Sequence, residues 1–167
     1  EPKVMVFRAA DYAQYSDLTA KIIADLQNPL AAPVLSESLK FGVLQAQAQA
    51  VSFQNGTGMR YLVQFDMAPL PVNNRGLFYY YQGLTNDGAF FVQATLPVQA
   101  PFLVADDSPT SITPPDGVQF DWTEAGFQNL PAYLDAAAQK LNSADPKVFV
   151  PSLPTLDALI QSITVTP

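Results

Sequence analysis

The chain contains no cysteine and no histidine, and these two absences exclude several kinds of chemistry. Without cysteine there is no thiolate nucleophile. Without histidine there is no Ser-His-Asp triad and no imidazole base. Ordinary zinc, haem and iron–sulfur sites depend on the same two residue types. The sequence therefore predicts neither a cofactor nor a metal site of these kinds.

Basic residues are also scarce, with 8 Lys and Arg against 15 Asp and Glu and a net charge of −7. No two of the basic residues are neighbours in the sequence. Nucleic acids and anionic membrane surfaces are bound by clustered Lys and Arg, so the composition excludes both as partners. No apolar run approaches the roughly 18 residues of a membrane-spanning helix, so no transmembrane segment is predicted.

What the chain does contain is enough apolar surface for a core. Hydrophobic residues make up 49% of its 167 residues and charged residues 14%, against about 25% charged in an average globular domain. Intrinsic disorder is thereby excluded, and the length predicts a single α+β domain over residues 1–167. The sequence begins at Glu1, and a strand pattern follows from residue 3. Together with the lack of cysteine, abundant Gln and sparse Lys, this start indicates the C-terminal part of a longer exported precursor.

Hydrophobic periodicity predicts a helix, a set of hairpin-linked strands and two further helices. The first helix covers 11–28, with Tyr15, Leu18, Ile22 and Leu26 on its buried side and a capping box at Asp11. Glycines in the 55–58 turn are expected at positive φ, as is the glycine of Asn86-Asp87-Gly88. Residues 97–117 are predicted to be a long surface loop. The remaining predicted elements are strands at 3–9, 45–54, 59–66, 77–85 and 89–96, helices at 129–141 and 153–162, and a terminal strand at 163–165. Pro131 is expected in the first turn of the helix at 129–141. The last helix is predicted to turn Leu156, Leu159 and Ile160 inward, with Asp157 near its N-terminal end.

This order of elements predicts an α+β fold, in which an antiparallel β-meander sheet is packed by helices on one or both faces as an α/β/α sandwich. From residue 45 onward the predicted strands follow one another through turns with no helix between them, which favours antiparallel pairing.

Three segments resemble a group of uncharacterised bacterial secreted proteins or lipoproteins. They are an F-Q-N-G-x-G-x-R hairpin from Phe53, a P-x-N-N turn from Pro71, and a Q-G-L-T-x-D-G hairpin from Gln82. The resemblance implies a location outside the cytoplasm, whether periplasmic, secreted or lipid-anchored, with a possible lipid anchor in the precursor. It implies no enzymatic role. The topology also resembles that of PsbP- and Mog1-like proteins, a likeness of fold that carries no function.

One polar cluster is a candidate ligand-binding site. Arg60, Gln64 and Asp66 alternate along one strand face, and Gln82 and Tyr80 lie on a neighbouring strand. An arginine can hold a carboxylate with two hydrogen bonds, and a tyrosine can stack on a sugar ring. The alternative interpretation is structural, with Arg60 paired to Asp66 or to a backbone carbonyl.

The acidic residues carry weaker signals. Asp106, Asp107, Asp116 and Asp121 lie on one proline-rich stretch, but their spacing lacks the D-x-D-x-D-G pattern of a calcium loop, so a solvated acidic loop is the better interpretation.

The function expected from the sequence is that of an extracytoplasmic, non-catalytic domain that binds or acts as a structural accessory at the bacterial cell envelope. Its partner would be an envelope protein or a small polar ligand. The alternatives are a small periplasmic hydrolase that uses a carboxylate pair, or a module that binds a sugar or another small polar ligand.

Overall fold

The computed structural model describes residues 1–28, 34–65 and 70–166. Within them, five strands form one antiparallel sheet in the order β1-β5-β4-β3-β2. The strands are β1 Lys3–Arg8, β2 Gln45–Phe53, β3 Gly56–Gln64, β4 Leu77–Thr85 and β5 Phe90–Pro97. The helices are α1 Ala9–Ala13, α2 Asp17–Gln27, α3 Glu124–Gln128, α4 Leu130–Ser143 and α5 Leu153–Gln161, with a short 3₁₀ turn at Glu37–Leu39.

Helices cover both faces of this sheet. One face, here the α2 face, carries Tyr61 of β3 and Tyr80 of β4, which pack with α1, α2 and the 3₁₀ turn. The opposite face, the α5 face, carries Leu62 and Tyr79, which pack with α4 and α5. Two hydrophobic cores therefore lie on either side of the sheet, and the predicted α+β fold with a helix-packed antiparallel meander is confirmed.

The central hairpin matches the sequence pattern closely. Strand β4 spans Leu77–Thr85, the predicted range, and all of its nine residues except Phe78 are buried because both faces are covered. The turn that follows places Gly88 at φ 70°. An L-residue with a side chain is strained in that conformation, so glycine at position 88 is required by the turn itself.

The glycines of the β2–β3 hairpin serve a different purpose from the one predicted. Gly56 and Gly58 lie inside β3, and neither is among the glycines with positive φ. A Cβ on Gly58 would collide with the backbone of β4 and with the hydroxyl of Tyr81. Position 58 therefore needs glycine for close packing, whereas the prediction assigned it to the turn.

The single helix predicted over 11–28 is wrong, because the chain forms two helices there. Ser16 accepts a hydrogen bond from the backbone N–H of Thr19 and starts α2 with a capping box of its own. This restart changes which residues face the sheet. Ile22 and Leu26 are buried as expected, but the predictions for the other two are wrong, since Leu18 is 47% exposed and Tyr15 is 88% exposed.

The C-terminal half follows its predicted elements with three corrections. Helix α4 begins at Leu130 with Pro131 in its first turn, as the sequence indicates. The predicted surface loop at 97–117 instead buries part of its length, because Phe102 and Leu103 pack into the core of the α5 face. Leu159, predicted to face inward, is exposed, and residues 163–165 form no strand. In the described part of the chain, no helix has the length and apolarity to cross a membrane.

Candidate functional site

Arg60 lies in the middle of β3 on the α5 face, beneath helix α5. It is only 1% exposed. Its Nε donates to Oδ1 of Asp157 at 3.2 Å, and Asp157 belongs to the first half of α5. The predicted partner, Asp66, lies outside the described residues. Arg60 thus connects the sheet to a helix from the far end of the chain.

Two residues of the edge strand β2 also accept hydrogen bonds from the Arg60 guanidinium. Nη2 donates to Oε1 of Gln49 at 2.6 Å, and Nη1 donates to the backbone carbonyl of Gln47. Asp157 also accepts a hydrogen bond from the hydroxyl of Tyr79 at 2.9 Å. We call Arg60, Asp157, Tyr79, Gln47 and Gln49 the Arg60 network. It joins β2, β3, β4 and α5 around one buried ion pair.

Gln47 is the strained member of this network. Its φ is 55°, and β2 loses its regular register between Ala46 and Gln49. The backbone N–H of Gln47 donates to Oδ1 of Asn142 at 2.6 Å. Its side chain Nε2 donates to the carbonyls of Leu141 and Ala144, at the C-terminal end of α4. Hydrogen bonds to Arg60 of β3 and to the end of α4 therefore stabilise the strained backbone of Gln47. Through its side chain, the bulge also caps the C-terminal end of α4.

The chemical consequence is that the Arg60 network is closed to ligands. A guanidinium that is 1% exposed and bonded to three protein groups has no open side on which to hold a substrate carboxylate. Burial, followed by the nearby Asp157 carboxylate, raises the pKa of Tyr79 far above its usual range. Its phenol therefore stays protonated and acts as a hydrogen-bond donor.

Gln64 lies on the α5 face like Arg60 but bonds to a different segment of the chain. It is fully buried, and its Oε1 accepts from the backbone N–H of Asn73 at 2.9 Å. Its Nε2 donates to the carbonyl of Pro71 at 3.1 Å. Gln64 therefore holds the Pro71–Asn73 segment against the end of β3.

The other two predicted site residues lie on the opposite side of the sheet. Gln82 is on the α2 face, where its Nε2 donates to the carbonyl of Leu39 at 3.0 Å. Its Oε1 is buried and has no partner among the described residues. Tyr80 is on the same face and accepts a hydrogen bond from Gln93 at 2.6 Å. The structure thus places Arg60 and Gln64 on one face and Gln82 and Tyr80 on the other, so these four do not line a common pocket.

The acidic residues of the proline-rich stretch are held by local hydrogen bonds. The Ser111 hydroxyl is the main cause of the lowered pKa of Asp106, and the backbone N–H of Thr123 is the main cause of the lowered pKa of Asp121. Across the ranges that the structure describes, no three acidic side chains come together as a metal site would require.

An open cleft lies at the C-terminal end of α2, away from the Arg60 network. We call it the α2-end cleft, and its volume is about 570 Å³. Its polar lining consists of carboxamides, hydroxyls and one carboxylate, supplied by Gln27, Asn28, Asn86, Thr57, Thr85 and Asp87. Thr85 is buried and bonded to Asp87, but Gln27, Asn28, Thr57 and Asn86 are exposed, so this cleft, unlike Arg60, is accessible to a ligand.

Sequence reasoning missed the two residues that decide the role of Arg60. Asp157 is 97 positions away in the chain, and the sequence predicts only that it lies near a helix N-terminus. Gln47 belongs to the Gln-Ala alternation of β2, a pattern that predicts an exposed edge and gives no sign of a bulge. Comparison of the chain with protein-family models, with curated proteins and with solved structures gave no match.

Proposed function

We propose that the protein is a non-catalytic domain that acts in binding or as a structural accessory outside the cytoplasm, at the bacterial cell envelope. The observation that carries this proposal is the burial of Arg60. The residue best suited to substrate recognition is 1% exposed, and all of its identified partners are groups of the protein itself. The Arg60 network, which has the side chains best suited to binding a ligand, therefore stabilises the fold instead.

The carboxylates also favour a non-catalytic role. A hydrolase with two carboxylates needs one whose pKa is raised so that it can act as a general acid. Hydrogen bonds from hydroxyls lower the pKa of Asp25 and of Asp87. Asp106 and Asp121 shift in the same direction. These four carboxyl groups are thus stabilised as anions, the opposite of what an acid catalyst requires.

Composition supports the proposed location. A chain without cysteine folds independently of the redox state of its compartment, and a net charge of −7 disfavours anionic surfaces. The hairpin motifs from Phe53 and Gln82 resemble those of secreted bacterial proteins and lipoproteins. We accordingly propose that the mature protein is periplasmic, secreted or lipid-anchored.

The α2-end cleft supports a second candidate function, the binding of a sugar or another small polar ligand. Its carboxamides and hydroxyls match the hydroxyl groups of a sugar in hydrogen-bonding capacity. Thermal shift against a panel of mono- and disaccharides tests this candidate. We expect any stabilisation to disappear in Gln27→Ala/Asn86→Ala and to persist in the exposed control Gln161→Ala. A shift that survives in the double variant would place the site elsewhere.

The non-catalytic function is tested with chromogenic glycosides, esters and phosphates across pH 4–8. We expect no turnover above the buffer control. Turnover that co-purifies with the protein and is lost on substitution of an aspartate to asparagine would overturn the proposal. Location is tested separately by protease accessibility of the natural precursor in intact and osmotically shocked cells. Protection of the protein in shocked cells would contradict an extracytoplasmic location.

A further inference from the structure

Among the described residues, no strand pairs with the outer side of β1, so this edge of the sheet is open. Strand β1 is the terminal strand in the order β1-β5-β4-β3-β2, and it pairs with β5 through six consecutive residues without a bulge. A regular edge strand presents unpaired backbone N–H and C=O groups that can accept another strand. Natural proteins commonly block such edges with proline, inward charges or bulges, and Lys3–Arg8 contains none of these between its ends.

The side chains of β1 are apolar on both faces. Val4 and Val6 point to the α5 face, and they are 48% and 46% exposed. On the α2 face, Phe7 packs on Phe91 at a ring-centroid distance of 6.2 Å. Helices α4 and α5 lie over the other end of this sheet, against β2, so the two valines have no helix above them in the described structure. An added strand would bury both.

We infer that this edge is occupied by the β1 strand of a second copy of the chain, in an antiparallel two-fold pairing. A two-fold axis that pairs a strand with itself antiparallel is perpendicular to the sheet. The axis keeps the α5 faces of both copies on the same side. Val4 and Val6 of the two copies then form one continuous apolar row.

The residues of β1 select one register for this pairing. With Met5 at the axis, Val4 lies opposite Val6 of the second copy, and Lys3 lies opposite Phe7. An axis at Val4 would instead place Val6 opposite Pro2, which lacks an N–H. An axis at Val6 would place Val4 opposite the charged Arg8. On the α5 face the Met5 register pairs each exposed valine with a valine of the second copy, and it sets no like charges directly opposite, so the exposed face of the strand is complementary to itself.

This dimer has a small interface, because pairing of two six-residue strands buries less than a standard protein interface. We therefore expect a Kd of about 10 μM to 1 mM, measured by sedimentation equilibrium. The variant Val4→Lys/Val6→Lys should be monomeric over the same range, since an inward charge on an edge strand opposes pairing. The matched control is Leu159→Lys on α5, where the native leucine is 46% exposed, and it should dimerise like the unmodified chain. A monomer at about 1 mM, or a dimer that persists in the double lysine variant, would overturn the inference.

The register is tested by a single introduced cysteine, because the chain has none of its own. Opposite residues in an antiparallel pair have Cα atoms about 4.5–5.5 Å apart, within the range that a disulfide spans. Met5→Cys should therefore form a covalent dimer on oxidation. Lys3→Cys should not, since the two copies of residue 3 would be offset by about 13 Å along the strands. Equal cross-linking of both variants, or of neither, contradicts the Met5 register.

A heterologous strand is the competing occupant, and the same measurements identify it. If β1 were reserved for a foreign strand, the isolated chain would stay monomeric and Met5→Cys would not cross-link to itself. Either result rejects the second copy as partner.

Discussion

The two edges of the sheet are built in opposite ways. At β2, a bulge at Gln47 interrupts the ladder, and helices α4 and α5 lie against the strand. At β1, the ladder is regular and the outward valines are half exposed. The β2 edge is thus closed by irregularity and by contacts within the chain. The β1 edge keeps the geometry that a further strand requires.

The difference shows where the buried polar residues of this protein are used. Arg60, Asp157 and Gln47 all lie at the closed edge, where they tie β2 and α5 to the centre of the sheet. Between Lys3 and Arg8 at its two ends, the open edge has only apolar side chains. A buried charge network favours one arrangement of its partners, while an apolar strand edge accepts any strand that matches its pattern. The closed edge therefore specifies the fold, and the open edge is available for association.

The largest effect is expected from Arg60→Ala at the closed edge. The side chains of Arg60 and Asp157 are 2% and 14% exposed, so the variant leaves a buried carboxylate without its cation. We expect a loss of about 3–5 kcal/mol in the free energy of unfolding, measured with urea. The control is Arg75→Ala, whose ion pair with Asp107 is 77% and 44% exposed. That variant should lose at most about 1 kcal/mol, and equal losses would contradict the structural role of Arg60.

A smaller loss is expected from Leu156→Ala, which removes part of the cover over the closed edge. Leu156 is buried in the core of the α5 face, and its truncation should cost about 2–3 kcal/mol through lost burial and a cavity. Leu159, three residues later, is exposed, so Leu159→Ala should change stability by less than about 0.5 kcal/mol. Chemical denaturation of the two variants measures the difference. Similar losses would mean that α5 packs through another face.

Gln47→Ala tests the bulge itself. The variant removes the side-chain hydrogen bonds to the carbonyls at the end of α4 and leaves the backbone at positive φ. We expect a loss of about 1–2 kcal/mol in the free energy of unfolding. Amide hydrogen exchange should show the change concentrated in the last turn of α4. Unchanged exchange there would mean that the capping contact is not formed in solution.

The smallest effect is expected at the open edge. Val6 is half exposed, so a lysine at this position can extend its charged end into water. The variant Val6→Lys should therefore change the free energy of unfolding of a dilute monomer by less than about 0.5 kcal/mol. Urea unfolding at low chain concentration measures this. A loss as large as that of Leu156→Ala would show that Val6 is part of the core, and the contrast between the two edges would fail.

The fall of stability at alkaline pH tests the burial of tyrosines in the central strands β3 and β4, away from both edges. Burial raises the pKa of Tyr61, Tyr80 and Tyr81 above the unfolded value of about 10. Below that pH both states are protonated and the stabilisation is complete. Above it the unfolded chain loses protons first, so stability should fall with rising pH by up to about 1.4 kcal/mol per pH unit for each tyrosine. Unfolding midpoints at pH 9, 10 and 11 measure the slope, and a flat profile would contradict burial of these phenols.

Prediction from the sequence succeeded where neighbours along the chain supply the cause. The turn at Gly88 and the start of α4, with Pro131 in its first turn, follow from backbone restrictions of those residues. It failed at the first helix, which was predicted to start at Asp11. The chain instead begins α1 at Ala9 and starts α2 anew at Ser16, and Tyr15 between them is exposed.

The candidate site shows the same division. Alternation along β3 correctly placed Arg60 and Gln64 on one face, but alternation cannot tell which face is covered or by what. The partner of Arg60 comes from α5 and the strained residue from the β2 bulge, both far from β3 in sequence. A pattern of polar residues on a strand is the same for a solvated pocket and for a buried network. Only the approach of the helix distinguishes them.

The amino-acid sequence by itself determined the α+β class, the hairpin-linked strands and the absence of cysteine and histidine chemistry, because these depend on composition, side-chain period and turn residues. The tertiary structure decided that Arg60 is sealed beneath α5, that Gln82 and Tyr80 face the other way, and that β1 is the open edge. The physical reason is that burial and pairing are properties of distant segments brought together. Periodicity records only which side of its own element each residue occupies.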